Sequence, residues 1–217
     1  MNEEDILDAQ PDNLLAEMFN VYFNSSIMLT DRGYDIKVMD LTGDKKKDKA
    51  LFIKNYQRMP HYFHMPHKTF NKEMIMIYDP SAEKKEKQQL VRSSIDNADN
   101  DIDKEIKTVD AIYITRMTQK LKLKRESLKC MRLNHFEQFH FKNLCCDLPR
   151  HKLVPRHTIV RDKEIIGKLI AQYGTAMMKL LRSDPLPAWY GLTKGNIIIL
   201  EYDNPISIRE ICYKLIV

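Results

Sequence analysis

The residues best suited to chemistry in this sequence are two histidine groups, four cysteines and one dense run of bases. His61, His64 and His67 recur at intervals of three in HYFHMPH, a spacing that on a helix would nearly align three imidazoles for a metal. Pro60 precedes them and Pro66 falls between His64 and His67, and proline removes a helical N–H while clashing with the preceding turn, so an irregular loop is expected instead of an aligned ligand set. His151 and His157 bracket Leu-Val-Pro with no paired carboxylate or third ligand near them in sequence, which favours structural histidines over catalytic bases. Cys130, the adjacent Cys145 and Cys146, and Cys212 lack the CxxC spacing. Neighbours on a strand point to opposite faces, so these thiols are expected to be small buried apolar side chains. No catalytic residue, metal or cofactor follows from these patterns.

The bases are more informative. Residues 116–132 hold seven bases and one acid, with Lys120, Lys122, Lys124, Arg125 and Lys129 as the densest part. Such a cluster gains affinity for nucleic acid by releasing counterions from phosphate, and it positions a duplex without reading its bases. A solvated surface is the competing reading of the same charges. The net charge of +5 lies wholly in residues 150–217, where 11 bases stand against 6 acids; residues 1–149 carry 24 of each. Residues 1–17 hold six acids and no base, as a polar arm would.

The elements that must position these groups can be read from periodicity. With 217 residues and 43% apolar content, two domains are expected, divided at Pro149 into 1–149 and 150–217. No apolar run approaches the roughly 18 residues that span a bilayer. The start has neither the basic residues nor the apolar stretch of a secretory signal, so a soluble protein of a reducing compartment, with no membrane partner, is expected. Asp12 is placed as the cap of a helix over 12–32, with Leu15, Met18, Phe19, Tyr22 and Phe23 at helical spacing and Gly33 ending it. Tyr34, Ile36 and Val38 alternate, which predicts a strand, and a short helix is placed over Lys49–Gln57. MIMIY (74–78) and AIYIT (111–115) read as buried strands. The polar stretch 80–107 between them reads as one exposed helix followed by a loop.

The last third is punctuated more clearly. Asp162 caps a helix with Ile165, Ile166, Leu169, Ile170 and Tyr173 on its apolar face, and Gly174 stops it. Ser183-Asp184-Pro185 is a second helix start, since proline is tolerated at the first helical position. Gly191 and Gly195 flank a turn feeding the strand NIIILEY. Asn204-Pro205 then leads to a closing strand with Ile211, Tyr213, Leu215 and Val217 on one face.

Two strings in this region, HKLVPRH (151–157) and RSDPLPAWYGLTKG (182–195), resemble the C-terminal assembly domain of the fifth shared subunit of eukaryotic-type RNA polymerases, a domain that in archaeal members of the family stands alone. The likeness runs to the last residue. It is carried by His151, Leu153, Val154, Pro155 and His157, by Asp184, Pro185, Trp189, Tyr190 and Gly191, and by Lys194, Gly195, Arg209 and Tyr213. Upstream, TDRGYDI (30–36) is similar to the string that follows the first helix of the longer eukaryotic form. The resemblance implies an α/β N-terminal jaw domain, a mixed sheet flanked by helices and restriction-endonuclease-like, followed by a small α+β assembly domain. It implies a non-catalytic subunit that docks through the matched residues on the largest polymerase subunit and touches the sixth small subunit and other polymerase subunits. It also implies a lower jaw near downstream duplex DNA, and residence in the nucleus, or in the virion and host cytoplasm for a virus-encoded member.

The sequence departs from the family in two places. The jaw loop that carries Thr-Pro-Ser-Ala in eukaryotic members corresponds here to residues 118–124, which lack proline and are basic, so DNA approach by Lys120–Lys129 rests on charge. The string between the final strands is replaced by NPISIR, with Arg209 kept. Trp189 stays open between core and interface. A rival reading starts from the same resemblance: Glu105-Ile106-Lys107 reproduces the Glu-x-Lys part of a nuclease site. Such a site needs an upstream aspartate, for which Asp79 is available, to hold Mg²⁺ beside a lysine-positioned water.

Overall fold

A computed structural model of the chain describes residues 11–56, 60–81, 87–121, 132–202 and 210–217. The chain divides into two compact units, Met1–Cys146 and Asp147–Val217, each built on its own mixed four-stranded sheet.

In the first unit, α1 spans Pro11–Asp31, within one residue at each end of the helix expected over 12–32, and the side chain of Asp12, the expected cap, lies outside the described ones. Its apolar stripe buries Met18, Phe19, Val21 and Tyr22. The expected strand over 34–41 is absent. Only Tyr34 forms an isolated bridge, to His67, and Lys37–Met39 is a 3-10 turn. Local bonds win over the alternation: the Asp35 carboxylate accepts the Lys37 N–H at 3.2 Å, and Asp40 closes the turn in the left-handed region at φ 49°. Helix α2 (Lys45–Asn55) starts earlier than expected because Asp44 is its cap, accepting from the N–H groups of Lys46 and Lys47.

The sheet order is β1 (Tyr62–Pro66), β2 (Lys72–Asp79), β3 (Thr108–Thr115), β4 (Leu133–His140). β1 pairs antiparallel with β2, and the other pairs are parallel. The histidine segment is therefore an edge strand and not a loop, with Pro66 at its last position, where an edge strand tolerates proline. β2 is buried along nearly its whole length because helices cover both faces, as parallel sheets require. On one face α3 (Lys87–Asp101) lays Val91, Ile95 and Ala98 against Ile75, Ile77, Ala111 and Tyr113. On the other, the Tyr78 hydroxyl donates to the Met18 carbonyl at 2.8 Å and its ring packs on Tyr22. Contrary to the expectation of an exposed helix ending before DNADND, α3 runs through that string, and its inner face is fully buried. Cys145 and Cys146 follow a 3-10 turn and are exposed, not buried, and Cys212 is half-buried; Cys130 and Asn204-Pro205 lie outside the described residues.

The second unit contains β5 (Arg156–Val160), α4 (Lys163–Tyr173), β6 (Met178–Leu180), α5 (Pro185–Trp189), β7 (Ile197–Tyr202) and β8 (Glu210–Ile216), with sheet order β5-β7-β8-β6. β7 shows the alternation plainly. Ile198 and Leu200 join Leu192 and Ile216 on one face, while Ile197 and Ile199 meet Val160, Ile166, Leu169 and Tyr213 on the other. Asp162 caps α4 through the N–H groups of Glu164 and Ile165, and Gly174 ends it at φ 51°. Yet α4 has no fully buried residue. Among the described residues no helix is long and apolar enough to cross a membrane.

Candidate functional site

The string 151–157 forms a tight turn that runs into β5. The Val154 N–H donates to the His151 carbonyl at 2.9 Å, and the Leu153 N–H to His151 Nδ1 at 3.3 Å. Folding back in this way lifts Leu153 to 80% exposure, beside half-buried Val154 and Pro155. An open cleft of about 590 Å³ follows the turn, lined by His151, Val154, Pro155 and His157 together with the bases Arg150, Lys152 and Arg156.

His157 joins the two matched strings. Its Nδ1 lies 3.0 Å from the Pro155 carbonyl, and its Nε2 lies 2.9 Å from the Tyr190 hydroxyl. A carbonyl only accepts, so Nδ1 carries the proton, and in the neutral ring Nε2 accepts from the Tyr190 O–H. The rings meet edge-on with centroids 5.5 Å apart. The arrangement is a structural clamp: neither ring nitrogen is left to act as a base or ligand.

Helix α5 presents Tyr190. Pro185 occupies its first turn and is exposed, while Asp184 sits at the cap position but aims its carboxylate back to the Leu181 N–H at 2.9 Å. Gly191 (φ 58°) and Gly195 (φ 94°) then reverse the chain into β7, conformations for which glycine has no steric penalty. Trp189 is 1% exposed, which resolves its two readings toward core, so it supports the surface from beneath. Lys194 is exposed. Tyr213 is half-buried and stacks on Tyr173 at 4.9 Å.

Sequence reasoning misses part of this surface. Periodicity places Ile165, Ile170 and Tyr173 on the packed face of α4, but they are 48%, 42% and 37% exposed. The available signal is the width of the arc. On α4 only Ile166 and Leu169 pack against the core cluster around Val160, Met177 and Ile197, so among the described residues the flanking isoleucines Ile165 and Ile170 stay partly uncovered.

The other singled-out residues separate by role. Lys120 is exposed; Lys122, Lys124, Arg125, Lys129 and Arg209 lie outside the described residues. In the DRGY string, Arg32 pairs with Glu137 at 2.7 Å and Tyr34 donates to Asp110 at 3.4 Å. Gly33 sits at φ 91° with His67 Nε2 only 2.8 Å from where a Cβ would stand. Burial pushes the Glu137 carboxyl up, but the His135 hydrogen bond and the charge and hydrogen bond of Arg32 outweigh it and hold the group at about 2. His67 is tied to its own turn, accepting from the Thr69 and Phe70 N–H groups, and His64 faces Glu73 at 3.3 Å. Among the described residues no three His, Cys, Asp or Glu side chains are grouped to hold a metal.

The nuclease reading fails on register. β2 and β3 are parallel with Lys72 opposite Thr108 and Asp79 opposite Thr115, so Glu105 and Lys107 lie at the opposite end of the strand pair from Asp79. Seven residues of strand put them about 23 Å apart, too far to share one ion. Asp79 is instead buried among its own partners, with Lys87 Nζ at 2.5 Å and the Tyr113 hydroxyl at 2.6 Å.

Comparison with known proteins agrees with the strings. Residues 146–216 match the family of RNA polymerase Rpb5, C-terminal domain. The chain is 30% identical over 84 residues to DNA-directed RNA polymerases I, II, and III subunit rpabc1 of Dictyostelium discoideum, an alignment covering 37% of this chain and 42% of that protein. It is 26% identical over 95 residues to DNA-directed RNA polymerases IV and V subunit 5B of Arabidopsis thaliana, covering 42% and 44%. The chain thus spans less than half the length of the curated relatives it matches. On these matches it is residues 146–216, the last third of the chain, that carry the likeness to the Rpb5 C-terminal domain.

Proposed function

We propose that the chain is a non-catalytic subunit of a multisubunit DNA-dependent RNA polymerase, held in the complex by its C-terminal unit. The observation that carries this reading is where uncovered apolar side chains lie. Of the twelve large apolar side chains exposed among the described residues, eight belong to Asp147–Val217, from Leu153 through Ile165, Ile170 and Tyr173 to Ile211. Permanent interfaces have this composition, with apolar and aromatic groups beside a polar rim. The names of the matched relatives supply the kind of complex.

Under this reading the largest polymerase subunit covers the turn 151–157 and the neighbouring face of α4, and the sixth small subunit lies close by. The N-terminal unit is a restriction-endonuclease-like jaw beside downstream duplex, with Lys120, Lys122, Lys124, Arg125 and Lys129 nearest the phosphates. The subunit has no active site or cofactor of its own, and it resides in the nucleus, or in the virion and host cytoplasm for a virus-encoded member. Affinity purification of the tagged chain from its source cell tests the assignment. Both large polymerase subunits are expected in stoichiometric amounts, and their absence would defeat it.

A further inference from the structure

A second basic surface lies on α2. The helix carries Lys45, Lys46, Lys47, Lys49 and Lys54 against a single acid, Asp48. Asp48 is 1% exposed, and its carboxylate is committed to the loop before the helix: it accepts from the Thr42 N–H at 2.8 Å, the Thr42 hydroxyl at 2.7 Å and the Gly43 N–H at 3.0 Å. The helix buries only Asp48 and Phe52, one turn apart, and all five lysines are exposed. Among the described residues one of the five is ion-paired, Lys47 with the cap residue Asp44 at 3.9 Å.

This arrangement opposes the helix that bears it. Three lysines occupy the first turn, where the positive end of the helix dipole disfavours cations. Lys45 and Lys49 stand four apart, where like charges repel. A segment that breaks two local rules while a buried carboxylate and an aromatic ring hold it rigid is shaped for something outside it. A polyanion relieves both conflicts at once.

We infer that α2 is a nucleic-acid contact surface that lies along the phosphate backbone of a duplex, separate from the segment 120–129. Eleven residues at 1.5 Å each give about 16 Å, a length over which one strand of duplex presents about five phosphates. The lysines share the outward side of the helix with Ala50 and exposed Leu51 and Ile53, and with Asp48 buried the helix turns no carboxylate outward to oppose a row of phosphates. Lysine is a point charge with rotatable donors and no bidentate fork, so the contact positions the duplex and carries no base sequence. The inference does not depend on the polymerase assignment.

Fluorescence anisotropy of the full chain with a labelled duplex of arbitrary sequence tests it. With all five lysines changed to Gln, a good helix former, low-salt affinity falls at least tenfold, and the slope of log K against log salt becomes shallower by about 4. Changing Lys120, Lys122, Lys124, Arg125 and Lys129 to Gln leaves that difference in place. Circular dichroism checks that the five-fold variant folds; if it does not, Lys46→Glu, a change of one exposed side chain, is read for a smaller loss of affinity and a slope shallower by about 1. Wild-type affinity and slope in either folded variant overturns the inference. So does polyglutamate that displaces the labelled duplex as well as unlabelled duplex does at equal charge, because the surface would then fit an acidic protein.

Discussion

The N-terminal unit finishes its own interior, whereas the C-terminal unit stops one layer short. In the first, buried charges are met from within: Asp79 by Lys87 and Tyr113, Glu137 by Arg32 and His135, Asp48 by the 42–43 loop. Helices cover both faces of its sheet, and among the described residues four large apolar side chains are left exposed, Val38, Leu51, Ile53 and Phe70. The second unit covers its sheet too, but α4 buries none of its eleven residues completely, and among the described residues twice as many large apolar groups stay uncovered. Each such group is worth about 25 cal/mol per Å² when water leaves it. The first unit therefore has little to gain from a partner, and the second has much.

The sharpest way to break this contrast is to empty the small core. Trp189, 1% exposed, is the largest fully buried side chain, and Trp189→Ala should cost about 3–5 kcal/mol, a large part of what holds a small domain together. Hydrogen exchange of the full chain checks it: protection is lost across β7 and β8 and kept across β2 and β3. Retained protection in β7 would show that the second unit is not built around this residue.

The next largest effect belongs to the Arg32–Glu137 pair. With its carboxyl held at about 2 against an ordinary 4.5, Glu137 contributes stability that is fully present above pH 4.5 and is lost as pH falls toward 2, amounting to about 3 kcal/mol at 1.36 kcal/mol per unit. Urea unfolding between pH 5 and pH 2 reads this slope, and Glu137→Gln should flatten it. The substitution should also destabilise the unit at neutral pH, since it strips the carboxylate from the buried Arg32, whose side chain is 7% exposed. Gly33→Ala acts more weakly, by about 2 kcal/mol for the positive φ, with His67 forced to move. Measured against His67→Ala alone, Gly33→Ala should then cost only the part due to backbone.

What can be read from the sequence is what neighbouring residues decide. The cap at Asp162, the stop at Gly174 and the strand at 197–202 follow from local chemistry, and the structure has all three. The strand expected at 34–41 fails for a local reason as well, because Asp35 and Asp40 offer the backbone other bonds. Helix α3 reads as too short because DNADND looks like a loop. Its signal is the spacing of Val91, Ile95, Ala98 and Ile102, sparse but helical, and each is buried. The candidate site is legible as two strings and not as one place, since nothing local tells that His157 and Tyr190, 33 positions apart, share a hydrogen bond. Nor does an apolar helical arc state whether the surface that covers it belongs to the same chain.

That last ambiguity sets the smallest effect on stability and the most discriminating one. Ile165→Glu places an acid in the first turn of α4, and Ile170→Lys places a base near its end, so both suit the helix dipole. The two side chains are 48% and 42% exposed, and exposed substitutions away from special features shift stability by within about 0.5 kcal/mol. If these isoleucines are core, the double variant loses stability and expression. If they wait for a partner, urea unfolding of the isolated chain is unchanged while the tagged variant no longer brings down the large polymerase subunits. The second outcome is expected, and unchanged co-purification would place the docking surface elsewhere on the unit.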